Sequence, residues 1–287
     1  MKIALIGTSP IMTLLALKIY KKHEVTIFEK RKKFGGAWSF DKFRNYYICN
    51  KTNVIGPTSK FQEKYVISII NYLKKKYKVK IKKNYETYET IAKYKPKNIY
   101  KFKLEVIYNF LKKSGITIKK KYVKKFVINN KQVIIDGEKF DKIILPTYVG
   151  INSAKINGIK INFEFKKIMS KHIFFITTQK FIKSFYYDEN FNNFVDRAQY
   201  KKINKYHFFT ARIRKKFKNT KLKKLFNLLG FNIKKKNLVD LKLVKYENYF
   251  RNDELIKDLL KLDKYREIQI VDTRQFVPAF KKLRLAK

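Results

Sequence analysis

The chain has 287 residues, with 69 lysines and arginines against 22 aspartates and glutamates, so its formal net charge is +47. A hydrophobic share of 45%, including 25 phenylalanines and 20 tyrosines, excludes a disordered polycation, which would lack the apolar surface to offset its ordering entropy. The single cysteine, Cys49, excludes an intrachain disulfide framework and a cysteine-rich zinc site. No run of about 18 uncharged apolar residues occurs, so no membrane-spanning helix is predicted.

The excess of lysine has two interpretations. A nucleic-acid or anionic-membrane binder would attract polyanions through such a charge without specific contacts. Drift in a very AT-rich genome would also enrich lysine at the expense of arginine, and only nine of the 69 basic residues are arginine. We favour drift, because the lysines are spread along the chain and nucleic-acid binders usually favour the planar fork of arginine. We therefore expect a small-molecule substrate, no specific nucleic acid and a cytoplasmic location; peripheral contact with a membrane stays open.

The first 29 residues predict a strand–helix–strand unit. The first strand is a short apolar run over residues 2–6, and the second is a β-rich run over residues 25–28. Between them, Ser9 suits the N-cap and Pro10 the first helical position, and from Ile11 onward apolar residues recur at helical spacing.

The spacing of Gly7 and Glu29 within this unit predicts a dinucleotide site. Such a site needs a tight turn after the first strand, which places the pyrophosphate at the helix N-terminus, and an acid after the second strand for the ribose hydroxyls. The glycine pattern G-x-G-x-x-G falls on Gly7, Ser9 and Met12, so only its first glycine is present. An acid at Glu29 argues against a ribose that carries a 2′-phosphate, and hence against NADP.

The next residues carry a resemblance to a family. They follow the pattern E-x-R-x-x-x-G-G-A-W, which is formed by Glu29, Arg31, Gly35, Gly36, Ala37 and Trp38. Here the sequence resembles the FAD-dependent oxidoreductases that include amine oxidases, protoporphyrinogen oxidase, phytoene desaturases and UDP-galactopyranose mutase. The resemblance implies that the glycine pair lets the main chain pass close to the pyrophosphate and ribityl chain of FAD. A simple glycine turn is the alternative.

A second segment is similar to the same family. Residues 104–111 have the apolar stripe of a helix that ends near Gly115, and residues 116–145 alternate between apolar and polar with turn residues, which predicts a β-meander. In the family, a three-stranded excursion at this place returns to the dinucleotide domain, and the main chain of a valine contacts the adenine. The resemblance therefore implies Val123 for the adenine and residues 142–145 for the returning strand.

The remaining segments are typical of a substrate domain and of the end of the fold. Residues 61–77 predict a helix with one apolar face, and residues 171–185 and 206–213 are β-rich and aromatic. Residues 267–271 predict a strand near the end of the sequence. Asp272 follows it where the family has an acid beside the ribityl phosphate of the flavin, although the glycine of that pair is missing.

No catalytic side chain is assigned, because a flavin performs the redox step and the protein supplies position and electrostatics. Arginines are rare here, so the retained Arg197 and Arg212 are candidates for holding an anionic substrate such as a nucleotide sugar, with ordinary ion pairs as the alternative. His207 lies in the same β-rich region and is a further candidate for the substrate, with a structural role as the favoured interpretation. No spacing typical of a metal site occurs, so no metal is predicted.

The predicted fold class is α/β, with a Rossmann-like FAD-binding domain that has a central parallel sheet and a β-meander, and a reduced inserted substrate domain. Residues 1–60, 95–155 and 262–287 are predicted to form the FAD or dinucleotide-binding domain, and residues 61–94 and 156–261 the substrate or cap domain. The predicted cofactor-binding residues are Gly7, Ser9, Pro10, Ile11, Glu29, Arg31, Gly35, Gly36, Ala37, Trp38, Val123 and Asp272.

The resemblance implies FAD as the cofactor and hydride or electron transfer on a small organic substrate, in an amine-oxidase-like or flavin-dependent mutase-like enzyme. Two alternatives belong to other classes. The first is a catalytically degenerate Rossmann protein that binds a nucleotide or a partner. Ser9 and Met12 at the motif positions, and the glycine that is missing beside Asp272, support it. The second, a polyanion-binding protein, depends on the charge alone.

Overall fold

The structure of the chain is a computed structural model. It describes residues 1–36, 40–43, 46–49, 54–55, 63–84, 88–89, 99–102, 105–180, 187–188, 195–213, 226–227, 233–273 and 279. The described helices are α1 (Pro10–Ile19), α2 (Glu63–Tyr77), α3 (Glu105–Lys113) and α4 (Asp253–Leu260). Within the described ranges, no helix combines the length and the apolar character needed to cross a membrane.

The strands are short in the first part of the chain and longer in the second. They are β1 (Lys2–Ile6), β2 (Glu24–Phe28), β3 (Phe40–Phe43), β4 (Tyr46–Cys49), β5 (Val54–Ile55), β6 (Ile81–Asn84), β7 (Tyr88–Glu89), β8 (Ile99–Phe102), β9 (Thr117–Lys119), β10 (Lys125–Asn129), β11 (Gln132–Ile135), β12 (Glu138–Phe140), β13 (Lys142–Pro146), β14 (Ser153–Ile156), β15 (Ile159–Asn162), β16 (Lys166–Thr177), β17 (Tyr187–Asp188), β18 (Val195–Ile203), β19 (Tyr206–Ile213), β20 (Leu238–Phe250) and β21 (Ile268–Val271).

The chain divides into two compact units. The first comprises Met1–Asn84, Pro96–Lys167 and Tyr249–Lys287, and the second Tyr85–Lys95 and Ile168–Asn248. This division describes compactness alone. The assignment of residues to a cofactor domain and a substrate domain therefore stays a prediction.

A parallel sheet of five strands lies at the centre of the first unit. Its strand order is β21-β13-β1-β2-β9, and every neighbouring pair is parallel. The chain passes from β1 to β2 and β9 on one side, and later adds β13 and β21 on the other side. Ligands of open α/β sheets bind at the carboxyl ends of the strands where the order reverses in this way. The predicted α/β class with a central parallel sheet is confirmed.

The two faces of this sheet pack into separate apolar cores. Ile3 and Leu5 of β1 belong to a core that includes α1, α2 and α3, whereas Ala4 and Ile6 belong to a core shared with the second sheet. This alternation follows from the period of two along a strand. Because both faces are covered, β1 reads as a continuous apolar run, as buried parallel strands do.

The second sheet contains the predicted β-meander. Its order is β12-β11-β10-β14-β15, and β10, β11 and β12 are joined by tight turns at residues 130–131 and 136–137 whose φ angles are all positive, as type I′ turns require. β13 then returns to the parallel sheet beside β1, as predicted. One segment differs from the prediction: residues 117–119 form the edge strand β9 beside β2 instead of joining the meander.

The second unit contains a six-stranded sheet with the order β20-β16-β19-β18-β17-β7. β16, β19 and β18 pair in antiparallel fashion over most of their length. Buried aromatic rings pack against each other on this sheet, as the ring centroids of Phe175 and Phe209, 4.7 Å apart, illustrate. The β-rich, aromatic character predicted for this part of the chain is therefore found in the described strands.

Candidate functional site

The turn after β1 brings the main chain across the carboxyl ends of β1 and β2. Gly7 has a φ of +82°, a conformation that residues with a Cβ rarely adopt, and its N–H donates to the carbonyl oxygen of Phe28 at 2.8 Å. The strain that any side chain would bring explains why glycine is retained at the first motif position. The end of β1 is thereby joined to the end of β2, one residue before Glu29.

The turn leads into the N-terminus of α1. Ser9 occupies the N-cap position and Pro10 follows it, as predicted, but the Ser9 side chain makes no capping hydrogen bond. Its Oγ is buried and has no hydrogen-bond partner among the described residues. Because Pro10 has no N–H, Ile11 and Met12 supply the main-chain donors of the first turn that have no acceptor within the helix. This end of the helix offers donors to an anion.

Met12 replaces the third glycine of the motif, and its side chain is fully buried. It belongs to the core that contains Ile3, Leu5 and the helices. The methionine therefore takes the space that a glycine would leave for closer approach of helix and strand.

Glu29 lies directly after β2 and is only 4% exposed. Its Oε2 accepts hydrogen bonds from the Thr8 N–H at 2.9 Å and from the Thr8 hydroxyl at 2.5 Å. Its Oε1 accepts one from the Arg31 N–H at 2.8 Å. The carboxylate predicted to bind a ribose is thus held mainly by donors of this chain. Sequence reasoning missed Thr8, whose only signal is a hydroxyl directly after Gly7.

The loop after Glu29 is tied to the turn after β1. The Gly35 N–H donates to the Thr8 hydroxyl oxygen at 2.9 Å, and Arg31 Nη1 donates to the Gly36 carbonyl at 2.8 Å. Gly35 and Gly36 have φ angles of 102° and 55°, so both use backbone conformations that favour glycine. The structure therefore brings Gly7, Glu29, Arg31 and the glycine pair together. Ala37 and Trp38 lie outside the described residues.

One lysine, Lys120, lies close enough to this buried carboxylate to interact with it. Lys120 Nζ donates to the Arg31 carbonyl at 3.2 Å and lies 4.0 Å from the centre of the Phe34 ring. Burial lowers the pKa of Lys120, attraction to Glu29 opposes that shift, and repulsion from Lys112 adds to it. The edge of the site is therefore positive, although the acid at its centre is negative.

Val123 lies in the segment between β9 and β10. It is 3% exposed and packs in the core shared with the second sheet. Lys119, four residues earlier, accepts a hydrogen bond from the Glu29 N–H at 2.9 Å, which brings this segment to the same edge of the parallel sheet. Next to it, Lys30 Nζ lies 4.3 Å from the centre of the Tyr122 ring. The predicted adenine position is thus close in the fold to Glu29.

Asp272 follows β21, at the carboxyl edge of the same sheet. The residues beside it join β21 to the end of β13: the Thr147 N–H donates to the Val271 carbonyl at 3.0 Å, and the Thr273 N–H donates to Thr147 Oγ1 at 3.1 Å. Since β13 is the neighbour of β1, the sheet brings Asp272 to the same edge as Gly7. The predicted role of Asp272 beside a flavin stays a prediction.

Arg251 is a buried cation near this edge that sequence reasoning missed. It is 1% exposed, and its Nη1 donates to the carbonyls of Thr147 and Val149 at 2.8 and 2.7 Å. Its Nη2 is buried without a hydrogen-bond partner among the described residues, and its guanidinium lies 5.3 Å from the centre of the Phe165 ring. Burial lowers the pKa of Arg251 to about 10. The scarcity of arginine was the signal that could have identified it.

The predicted substrate-binding residues lie in the second unit. Arg197 of β18 and Arg212 of β19 are cross-strand partners, so the structure places them opposite each other. His207 is five positions from Arg212 along β19 and therefore faces the other side of the sheet. His207 is buried, and burial together with Lys202 and Lys180 lowers its pKa. The strand register thus places the two arginines at opposite positions of neighbouring strands, and it places His207 and Arg212 on different faces of the sheet.

No family model matches the sequence, and no curated protein matches it. Solved structures do resemble the fold. A putrescine oxidase matches with a TM-score of 0.60 and 10% identity over 95% of this chain and 93% of the other. A proposed protoporphyrinogen oxidase from Exiguobacterium sp. 255-15 matches with a TM-score of 0.60 and 10% identity over 99% and 98%. A CLA-producing fatty acid isomerase from P. acnes has a TM-score of 0.57 and 8% identity over 99% and 97%. At such identities, the similarity shows a shared fold alone.

Proposed function

We propose that this chain binds FAD at the carboxyl edge of its parallel sheet and acts as an oxidoreductase on a small organic substrate. The observation that carries the proposal is the arrangement of Gly7, Glu29 and the Gly35–Gly36 pair, which Thr8 joins into one site where the strand order reverses. Two of the solved structures described above support the same class of enzyme, since one is a putrescine oxidase and the other a proposed protoporphyrinogen oxidase.

The residues present fit such a cofactor. The Ser9 hydroxyl, which has no partner in the described part of the chain, and the N-terminus of α1 would hold the diphosphate. Glu29 would accept a hydrogen bond from a hydroxyl of the adenosine ribose. The segment at Val123 would lie against the adenine, and Asp272 would lie near the ribityl chain. When bound, the flavin would supply the acceptor for a hydride or for electrons. The chain's own part is to position the cofactor and the substrate.

We further propose that the substrate is anionic and is held in the second unit. Arg197 and Arg212 are opposite each other on neighbouring strands. Two arginines at one register position suit an oxyanion such as the phosphate of a nucleotide sugar. The substrate would distinguish the two specific reactions. An amine that reduces the bound flavin would indicate an amine-oxidase-like enzyme, and a nucleotide sugar that is rearranged would indicate a mutase-like one.

The test uses the purified full chain. The purified protein should either show a flavin absorption spectrum or gain thermal stability when FAD is added. Riboflavin should give a smaller gain in stability, because it lacks the adenosine and the diphosphate. Glu29→Gln should reduce the gain, whereas Glu24→Gln should not, since Glu24 begins the same strand but its side chain is 68% exposed. A colourless protein whose melting temperature does not respond to FAD would reject the proposal.

Two observations favour a second candidate, a nucleotide-binding protein without catalysis. Met12 fills the place of a motif glycine, and Thr8 occupies much of the Glu29 carboxylate. For such a protein, ADP should raise the melting temperature as much as FAD does, and bound FAD should not be reduced by candidate amines or nucleotide sugars.

A further inference from the structure

The carboxylate of Glu29 has a limited number of acceptor positions. An ionised carboxylate offers about four lone-pair sites, two on each oxygen. The Thr8 N–H and hydroxyl occupy both sites on Oε2, and the Arg31 N–H occupies one on Oε1. One site on Oε1 is left. An acid that reads both hydroxyls of a ribose needs two.

The Thr8 hydroxyl is fixed in its role as a donor to Glu29. A hydroxyl has a single proton, and the Thr8 oxygen already accepts the Gly35 N–H at 2.9 Å, so its proton is directed to the carboxylate. The hydrogen bond to Glu29 is 2.5 Å long, and hydrogen bonds to an ionised acceptor are short and strong. Thr8 is only 1% exposed, so water does not compete for it. Rotating the side chain away would also leave a buried N–H of Gly35 without an acceptor.

We propose that Thr8 determines the sugar specificity of this site: its hydroxyl stands in for one ribose hydroxyl, so Glu29 binds only one hydroxyl of an adenine nucleotide. The inference rests on the proposed nucleotide site and adds to it. The ligand class it predicts includes adenine nucleotides in which one of the two ribose hydroxyls is absent. Removing the hydroxyl of residue 8 should free the second acceptor site on Glu29 Oε2 and restore recognition of both ribose hydroxyls.

The experiment measures the binding of ADP, 2′-deoxy-ADP and 3′-deoxy-ADP to the full chain by titration calorimetry. For the wild type, one of the two deoxy nucleotides should bind within about threefold of ADP, because only one hydroxyl is accepted. For Thr8→Val, both deoxy nucleotides should bind about tenfold or more weakly than ADP, the effect of one hydrogen bond to a charged acceptor. Thr8→Ala provides a second variant without the hydroxyl, should the valine variant fold poorly.

Two further variants serve as controls. Thr8→Ser keeps the hydroxyl and should behave as the wild type does. Thr13→Val removes another fully buried hydroxyl, in the first part of α1, that donates to the Thr8 carbonyl at 3.3 Å, and it should leave the specificity unchanged. The difference between Thr8→Val and Thr13→Val isolates the contact with Glu29.

The outcomes separate this inference from the proposed function. If the wild type binds ADP but rejects both deoxy nucleotides by tenfold, or if Thr8→Val discriminates no better than the wild type, the inference is wrong while the nucleotide site stands. If ADP and FAD bind to none of the variants, the nucleotide site is wrong and the inference falls with it. If ADP binds to Thr8→Val but not to the wild type, the nucleotide site stands and the inference is wrong, because the wild type should still accept one ribose hydroxyl.

Discussion

At the scale of single residues, Ser9 carries a buried hydroxyl that no other described residue contacts by a hydrogen bond. Its Oγ has no hydrogen-bond partner among the described residues, so Ser9→Ala should leave the free energy of unfolding nearly unchanged. If the hydroxyl donates to a diphosphate, the same substitution should weaken FAD binding by about three- to tenfold. Calorimetry and chemical unfolding measure the two quantities on the same sample.

Ser114→Ala is the matched control, because its hydroxyl is used within the fold. Ser114 Oγ donates to the Leu111 carbonyl at 2.7 Å and accepts from the Ile116 N–H at 3.3 Å, outside the candidate site. This variant should lose stability and keep its affinity for FAD. Equal affinity of Ser9→Ala and the wild type would contradict a role for Ser9 in binding.

Arg251 leads to a prediction about stability and pH. In Arg251→Lys a compact, strongly hydrated ammonium would replace the planar fork that bonds two carbonyls, so the free energy of unfolding should fall by about 1–3 kcal/mol. Burial would hold the pKa of the introduced lysine below its value in the unfolded chain. The folded state would then bind fewer protons in that window, so the stability of the variant should rise with pH up to about 10.

Urea unfolding at pH 7 and pH 9 tests this expectation. The pKa of Arg251 is about 10, so the wild type keeps that charge at both values and provides the reference slope. A variant that is as stable as the wild type at pH 7, with the same slope, would show that the position tolerates any cation.

Residues of the candidate site differ in how far a sequence can predict them. Gly7 and Glu29 were predictable because a tight turn and a ribose acid occur at a fixed spacing in a βαβ unit. Thr8 was not, since its role depends on the position of the Gly35 N–H after a loop that no periodicity describes. Arg251 contacts carbonyls more than 100 positions away, and no local pattern indicates such a partner.

At the scale of elements, the contact of α1 with the parallel sheet departs from the usual motif. Met12 is fully buried, so Met12→Gly would leave a cavity and add a flexible residue to the first turn of the helix. We expect the free energy of unfolding to fall by about 3–5 kcal/mol. Met12→Leu, which conserves volume, should cost less than about 1.5 kcal/mol. Thermal and urea unfolding of both variants check the prediction, which an unchanged stability of Met12→Gly would contradict.

The elements themselves were largely predictable, and the exception has a physical cause. The β-meander was predictable from alternation and from turn residues such as Asp136 and Gly137. In the structure both of these residues have positive φ angles. β9 was placed in the wrong sheet because a strand of three residues carries too little alternation to indicate its partner. Its pairing depends on the ladder with β2, which continues in the hydrogen bond from the Glu29 N–H to the Lys119 carbonyl.

At the scale of the whole molecule, the net charge of +47 acts against the compact state through self-repulsion. Added sodium chloride screens that repulsion, and the screening length falls to about 10 Å at 0.1 M. The melting temperature should therefore rise between low and moderate salt. A variant in which the exposed Lys21, Lys22 and Lys113 are replaced by glutamine should show a smaller rise. A melting temperature that is independent of salt would mean that the lysines are already spaced widely enough not to interact.

The bridge formed by Glu29, the Thr8 hydroxyl and the Gly35 N–H has a consequence for how the site would respond to its ligand. A nucleotide hydroxyl that binds Glu29 shares the carboxylate with the Thr8 hydroxyl, which is also the acceptor on which the Gly35 N–H depends. Events at the sugar and the conformation of the glycine loop are therefore thermodynamically linked, and such linkage is reciprocal. A substitution that rigidifies the loop would therefore alter the affinity for the sugar without contacting the sugar. The Thr8 hydroxyl alone would couple the sugar of the cofactor to the part of the cofactor bound at the glycine loop.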